Sequence, residues 1–178
     1  MAIAPPDPSL PPWPPGYVLA SGLPGDGPLL TQLMQRTYGE LFPGTDPQHL
    51  QNTVQHYWAT ATPLWWVYRG ETLDSQPRGL VPRSPPDPVG VLWMGRAVDQ
   101  VQGDRHSHIF LLYVDPQHRR QGLGTALLHR AEAWAKKNHD RQITLQVFCD
   151  NHSALALYRR QGYSPQAITL VKPLEPPP

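Results

Sequence analysis

The sequence has almost no cysteine, no excess of one charge and no long apolar run, and each absence excludes a class of protein. Its single Cys149 cannot form a disulfide within the chain, which favours a reducing compartment. Fifteen lysines and arginines against fourteen aspartates and glutamates give a formal net charge of +1. Nothing in this balance indicates binding to nucleic acid or to an anionic membrane.

Segments that would direct the chain to a membrane are also missing from the sequence. No stretch of about 18 consecutive apolar residues occurs, so no transmembrane helix is predicted. The N-terminal residues combine neither a basic region nor an apolar segment, so no secretory signal is predicted. We therefore expect a cytoplasmic protein with no membrane partner and no nucleic-acid partner.

Proline is abundant but unevenly distributed, and this distribution predicts the domain organisation. Of 23 prolines, seven lie in residues 1–15, five in 77–88, four in 173–178 and only two in 89–172. Because proline removes a backbone donor, the dense stretches predict tails and a loop. We expect a proline-rich N-terminal tail over 1–16, one domain over 17–172 and a C-terminal tail over 173–178. The N-terminal run is typical of a surface tail or of a ligand for a partner domain.

Hydrophobic periodicity between the tails predicts a mixed α/β protein. Apolar residues alternate in some segments and recur at helical spacing in others. The predicted strands cover 17–23, 64–69, 89–98, 106–114, 143–149 and 167–171. The predicted helices cover 28–41, 47–58, 122–138 and 151–162.

The segment 119–124, Arg-Arg-Gln-Gly-Leu-Gly, joins a predicted strand to a predicted helix. Its two glycines leave no side chain between the backbone N–H groups and a ligand. The first N–H groups of a helix have no internal acceptor and carry the positive end of its dipole, so they form an anion site. With two arginines beside it, the segment predicts a site for a diphosphate.

Two other phosphate-binding motifs do not match this segment. A nucleoside-triphosphate loop ends in Gly-Lys-Ser/Thr, which is missing here. A dinucleotide fingerprint needs a third glycine, and Leu127 occupies that position.

The pattern Arg119-x-x-Gly122-x-Gly124 resembles the signature of the GNAT (GCN5-related N-acetyltransferase) family. The resemblance extends over 109–163, which includes Val-Asp-Pro after the strand and the run 151–158, Asn-His-Ser-Ala-Leu-Ala-Leu-Tyr. It implies the α/β GNAT fold, a mixed sheet of about six to seven strands flanked by about four helices and splayed at the acetyl-CoA site. The cofactor half would cover about 89–172. The N-terminal third resembles the family only in the order of its elements.

The resemblance also implies a role for individual residues. The strand would pair with the pantetheine arm, the turn would hold the pyrophosphate, and one residue of the next element would contact the cofactor. The residues so assigned to acetyl-CoA are Leu112, Tyr113, Val114, Arg119, Arg120, Gln121, Gly122, Leu123, Gly124, Thr125 and Asn151. Tyr158 would be the general acid for the leaving thiolate. The implied partners are acetyl-CoA and a primary amine of a small molecule, protein N-terminus or lysine, with a homodimer as a further possibility.

The sequence leaves the identity of the general base open. A glutamate often stands at the position of Gln146 in the subgroup that acetylates protein N-termini, and glutamine has no basic carboxylate. His106, His108, Glu40 or a chain of water are the alternatives. A non-catalytic acyl-CoA-binding or partner-binding module and transfer of a longer acyl chain are the competing hypotheses.

Three other features favour ordinary structural roles. His106 and His108 share a strand face but lack a third ligand nearby, so no metal is predicted. Cys149 alternates with apolar residues and is expected to be buried. The tryptophans at 58, 65, 66 and 93 are expected to pack in the core rather than to line an acceptor pocket.

Overall fold

The computed structural model describes residues 2–4, 7–44, 46–58, 62–70 and 87–174. The chain divides into two compact units, residues 1–146 and 147–178, which are described separately. Most of the proline-rich loop predicted over 77–88 lies outside the described residues. In the described part of the chain, no helix is long and apolar enough to cross a membrane.

The first unit contains one mixed sheet of six described strands, which confirms the predicted α/β class. The strands follow one another across the sheet in sequence order, each antiparallel to the next except for the last pair, which is parallel. They are β1 (Ala2–Ile3), β2 (Tyr17–Ser21), β3 (Leu64–Arg69), β4 (Gly90–Val98), β5 (Arg105–Val114) and β6 (Ile143–Leu145). Strand β1 comes from the segment predicted as an N-terminal tail.

Helices α1 (Gly27–Leu41) and α2 (His49–Tyr57) bury their apolar stripes against one face of this sheet. Helical spacing places the buried side chains of each helix on one side. Together with alternate residues of the strands they form the main core, which includes Leu30, Leu33, Met34, Leu50, Val54, Trp66, Tyr68, Trp93, Leu111 and Tyr113.

Helix α3 (Leu123–Lys137) covers the opposite face. Its buried residues recur at helical spacing and lie outside the main core cluster. Trp65 alternates with the core residue Trp66, so its ring points to this second face, where the guanidinium of Arg130 lies 5.5 Å from the ring centre. The predicted helix over 122–138 is therefore confirmed.

Strand β5 contains a β-bulge, and its pairing with β6 ends just before the bulge. The β4–β5 register shifts so that Trp93 pairs with Leu111 while Met94 pairs with Ile109, which leaves Phe110 as an extra residue. A side chain at Gly95 would clash with the Phe110 ring, so glycine makes room for the bulge. The parallel pairing of β5 with β6 covers only residues 107–109. From residue 110 to its end, β5 is paired only with β4 within the described part of the chain.

The second unit contains one described helix, α4 (His152–Arg160), which Asn151 caps by accepting the Ala154 N–H at 3.2 Å. Two strand predictions near it are wrong: β6 stops at Leu145 instead of residue 149, and residues 167–171 form no strand. An apolar alternation becomes a strand only when another strand supplies its backbone partners, and periodicity alone cannot show whether one is available. Cys149 is exposed, so its predicted burial is wrong as well.

Candidate active site

The unpaired half of β5 offers backbone groups to a ligand. Asp115 donates its N–H to the Val89 carbonyl at 2.9 Å, on the side of β4. Because the backbone groups of an antiparallel strand alternate in direction, those of Leu112 and Val114 point away from β4 and those of Tyr113 point toward it. Leu112 and Val114 thus present their backbone along an edge that, in the described residues, no strand covers.

The turn after β5 forms a concentrated set of donors. Arg120 and Gly122 both have left-handed backbones, with φ of 63° and 85°, and α3 begins at Leu123. At the start of the helix, the Ala126 N–H donates to the Gly122 carbonyl at 3.0 Å. The N–H groups of residues 120–125 have no acceptor among the described residues. They stand at the positive end of the helix dipole, which is an arrangement that binds anions.

The two arginines of the turn differ in what their side chains contact. Arg119 donates from Nε to the Val114 carbonyl at 2.9 Å and from its terminal nitrogen to Glu40 at 2.8 Å. Arg120 is exposed and has no hydrogen-bond or ion-pair partner in the described part of the chain. Arg119 therefore fastens the turn to β5 and α1, whereas Arg120 is the cation available to an anionic ligand.

Glu40, one of the predicted alternatives for the base, is engaged on both oxygens. One oxygen accepts the Tyr113 hydroxyl at 2.6 Å, and the other accepts Arg119. Burial and the neighbouring Glu40 raise the pKa of Tyr113 above its usual value, so its hydroxyl stays protonated and keeps donating. A carboxylate held by a phenol and a guanidinium is a poor proton acceptor, so this geometry argues against Glu40.

Two histidines of β5 converge on one hydroxyl of β6. The Oγ1 atom of Thr144 lies 2.8 Å from His108 Nδ1 and 3.0 Å from His106 Nε2. His106 is buried, with 3% of its surface exposed, whereas His108 is half-buried. Burial, and then the charge of His106, lower the pKa of His108 below its ordinary value of 6.5. His108 is thus neutral at pH 7 and able to accept a proton.

Aromatic rings surround His108 on the face that α1 and α2 cover. The Phe110 ring centre lies 4.8 Å from that of Trp93, 5.0 Å from that of Tyr57 and 5.1 Å from that of His108. We call Tyr57, Trp93, His108 and Phe110 the aromatic ledge. Tyr57 is 48% exposed, so the ledge is open to solvent at the end of α2. It lies beside the point where β5 and β6 separate.

The tryptophans of strands β3 and β4 are buried. Trp65, Trp66 and Trp93 are at most 7% exposed, as core packing predicts, and the Trp66 Nε1–H donates to Asp26 at 2.7 Å. No group of three or more histidine, cysteine, aspartate or glutamate side chains in the described residues is placed to hold a metal ion.

The residues predicted from the second unit have local environments of their own. The side-chain oxygen of Asn151 caps α4, which leaves its amide N–H groups for other partners. Burial raises the pKa of Tyr158 to about 12, so its hydroxyl is a proton donor at neutral pH. Their roles toward acetyl-CoA stay predictions.

One contact at the turn was not predicted. The Tyr17 hydroxyl of β2 lies 2.8 Å from Gln121 Oε1 and 2.8 Å from His118 Nδ1. About a hundred residues separate these partners, and no sequence pattern connects them. The N-terminal segment also lies beside α3, where its residues and those of Gly122 to Arg130 line a cavity of about 700 Å³.

The chain is similar to known acetyltransferases in sequence and in structure. The model of the acetyltransferase (GNAT) family matches residues 31–163, well over half of the chain. An uncharacterized N-acetyltransferase of Methanocaldococcus jannaschii is 31% identical over 71 residues, which are 40% of this chain and 31% of that protein. The ribosomal protein bS18-alanine N-acetyltransferase of Escherichia coli K12 is 36% identical over 72 residues, 40% of this chain and 48% of that enzyme.

The chain matches less than half of the length of these two curated relatives. Among solved structures, a putative acetyl transferase from Pyrococcus furiosus superposes with a TM-score of 0.67 at 20% identity, over 89% of this chain and 99% of that one. At this identity the structural likeness supports the fold alone.

Proposed function

The chain belongs to the GNAT acetyltransferase family, and from this premise we propose that it transfers an acetyl group from acetyl-CoA to a primary amine. One observation carries the proposal: the open edge of β5 leads directly into the donor-rich turn at residues 120–125. An extended arm that ends in a diphosphate matches a strand edge that is followed by an anion site. Acetyl-CoA supplies the acetyl group as an activated thioester.

The donor site would use backbone groups for most of its contacts. The N–H and C=O of Leu112 and the N–H of Val114 would pair with the pantetheine arm, since the Val114 carbonyl is already held by Arg119. The N–H groups of residues 120–125 and the Arg120 side chain would hold the pyrophosphate. A backbone N–H of the open edge would polarise the thioester carbonyl, as oxyanion-hole donors do.

The acceptor amine must lose a proton before it can attack, and we propose His108 as the base. A primary ammonium has a pKa of about 10, so a neutral acceptor beside it assists at pH 7. His108 is held neutral by burial, lies on the aromatic ledge and is anchored by Thr144. Glu40 is paired, and Gln146 has no basic group.

Tyr158 is the proposed acid for the leaving thiolate. Its raised pKa keeps the hydroxyl protonated until a thiolate forms. The acceptor is proposed as a primary amine of a small molecule, a protein N-terminus or a lysine. The E. coli relative is named for an alanine N-terminus of a ribosomal protein, and the glutamine at 146 argues against transferring that acceptor.

A panel assay tests this proposal. CoA release is followed with acetyl-CoA and a range of small amines, N-terminal peptides and lysine peptides. We expect one class of amine to give turnover with acetyl-CoA and much slower turnover with succinyl- or myristoyl-CoA. Failure to bind CoA in calorimetry would overturn the donor assignment.

A second candidate is a non-catalytic acyl-CoA-binding module, which Gln146 favours because a glutamate base is missing there. CoA binding without turnover across the whole panel would support it. Turnover that a Tyr158→Phe variant slows, with CoA affinity unchanged, would exclude it.

A further inference from the structure

Tyr17 connects the start of β2 to two residues of the turn between β5 and α3. Its hydroxyl contacts the Gln121 side-chain carbonyl and the His118 ring nitrogen, each at 2.8 Å. Its ring also meets the His118 ring edge-on, with centres 5.6 Å apart and an angle of 89°. One side chain thus holds the turn at two points.

The chemistry of these contacts determines which atom donates. A phenol has one proton, and the Gln121 carbonyl can only accept it. The Tyr17 oxygen must then accept a hydrogen bond from His118 Nδ1–H. Both contacts depend on the same hydroxyl, so removing that oxygen releases both residues together.

Tyr17 holds His118 and Gln121, which lie on either side of Arg120, the residue of the turn with the least favourable backbone conformation. Arg120 is left-handed although it has a side chain, and Gly122 is left-handed two residues later. Such conformations persist when surrounding contacts hold them. Arg119 is held by Glu40 and by the Val114 carbonyl. Tyr17 holds His118 and Gln121. Together these contacts hold the turn in a conformation in which no described residue accepts the N–H groups of residues 120–125.

The strand that carries Tyr17 is paired on both sides: Tyr17 itself pairs with Arg69 of β3, and the N-terminal segment pairs further along β2. The Ala4 N–H bonds the Leu19 carbonyl at 2.9 Å, beside the short pairing of β1 with β2. Pro14 is the nearest side chain to the Cβ position of Gly122, at 3.7 Å. Tyr17 is therefore held on a paired strand rather than on a loose tail.

From this arrangement we infer that Tyr17 is a positioning residue for the diphosphate of acetyl-CoA, acting through Gln121 and His118. A turn that already has its binding conformation loses less freedom when the ligand arrives. The inference rests on the proposed function for its ligand. The order that Tyr17 imposes on the turn is a property of the free protein and can be measured without any ligand.

The test compares Tyr17→Phe with Gln117→Ala, a control beside the same turn whose side chain is exposed and makes no hydrogen bond within the described part of the chain. In Tyr17→Phe we expect lower backbone NMR order parameters at residues 119–125 of the free protein. We expect CoA affinity to fall about fivefold to tenfold, because the loss of two hydrogen bonds leaves the turn to be ordered when CoA binds, while kcat at saturating acetyl-CoA changes less than about twofold. A Gln121→Met variant should weaken CoA binding by a similar factor, and the double variant should add little further.

Three outcomes would overturn the inference. Unchanged order parameters at 119–125 would show that Tyr17 does not order the turn. Unchanged CoA affinity would show that the order has no role in binding. A fall in unfolding temperature well beyond the control, with kcat reduced as much as affinity, would show a general structural role. Wild-type protein that binds no CoA would instead refute the proposed function, and the order parameters would still decide whether Tyr17 orders the turn.

Discussion

The two halves of strand β5 have different neighbours, and their difference shows how one strand can be structural in one half and keep unpaired backbone groups in the other. Residues 107–109 pair with β4 on one side and β6 on the other. After the bulge at Phe110, the strand pairs with β4 alone in the described part of the sheet. The paired half holds the domain together, while the open half keeps backbone donors and acceptors available. A single inserted residue separates the two functions.

Replacing Leu112 by proline should have the largest effect, because it removes the Leu112 N–H from the open edge. That N–H points away from β4, so the β4–β5 ladder keeps its bonds, and the extended Leu111 suits the position before a proline. We expect kcat/KM for acetyl-CoA to fall at least about a hundredfold with the fold retained by circular dichroism. Leu112→Ala controls for the side chain and should remain active.

Leu111→Pro is the matched change on the other side of the strand. The Leu111 N–H points toward β4, so this variant loses a ladder bond and should unfold or aggregate. Equal behaviour of the two proline variants would contradict the assignment of the open edge.

Changing His108 to glutamine should reduce kcat/KM by about a hundredfold at pH 7, the contribution of a general base. In the wild type, the rate should fall only below pH 6.5, because burial lowers the pKa of His108 and keeps it neutral down to that range. The pH–rate profile of His108→Gln should lack this acidic limb. His49→Gln, an exposed histidine on α2, should leave the profile as it is. If the pH–rate profile of His108→Gln keeps the acidic limb, a group other than His108 is the base.

The two neighbouring arginines should separate binding from stability. Arg120→Ala should weaken CoA binding about tenfold, through the loss of a charge-assisted contact, with little change in unfolding temperature. Arg119→Ala should lower the unfolding temperature, because its side chain joins the turn to Glu40 and Val114. Calorimetry and thermal denaturation of both variants measure the two effects, and a reversed pattern would contradict the roles given to them.

Asp99, in the hairpin that closes the paired half, should give the smallest effect, visible only in acid. The backbone N–H of Val101, then the Arg141 side chain and the N–H of Gln102, lower its pKa to about 2 from 3.8. A carboxyl with a lowered folded pKa stabilises the protein above its unfolded value, and that stability is lost as the pH falls from about 4 toward 2. Asp99→Asn should therefore be less stable than wild type at pH 6, and the two proteins should have nearly equal stability at pH 2. Denaturant melts across this range check the difference, and a gap that stays constant with pH would contradict it.

The parts predicted best from sequence were those set by local rules. Glycine spacing and the apolar stripe of α3 predicted the turn and its helix, and both were found where expected. The strand over 167–171 failed because strand formation depends on a partner that lies elsewhere in the chain. Arg119 and Arg120 are identical as residues, and only the position of Glu40 on another helix distinguishes their roles.

By itself, the sequence determined that this chain is a mixed α/β protein of the GNAT family with a glycine-containing turn at 119–124 that leads into a helix, because periodicity and glycine conformations act over a few residues. Tertiary structure decided which backbone groups of β5 remain open, how deeply each histidine of β5 is buried, and that Tyr17 fastens the turn. Each of these depends on groups brought together from distant parts of the chain, where burial and pairing are properties of the packed fold rather than of any local pattern.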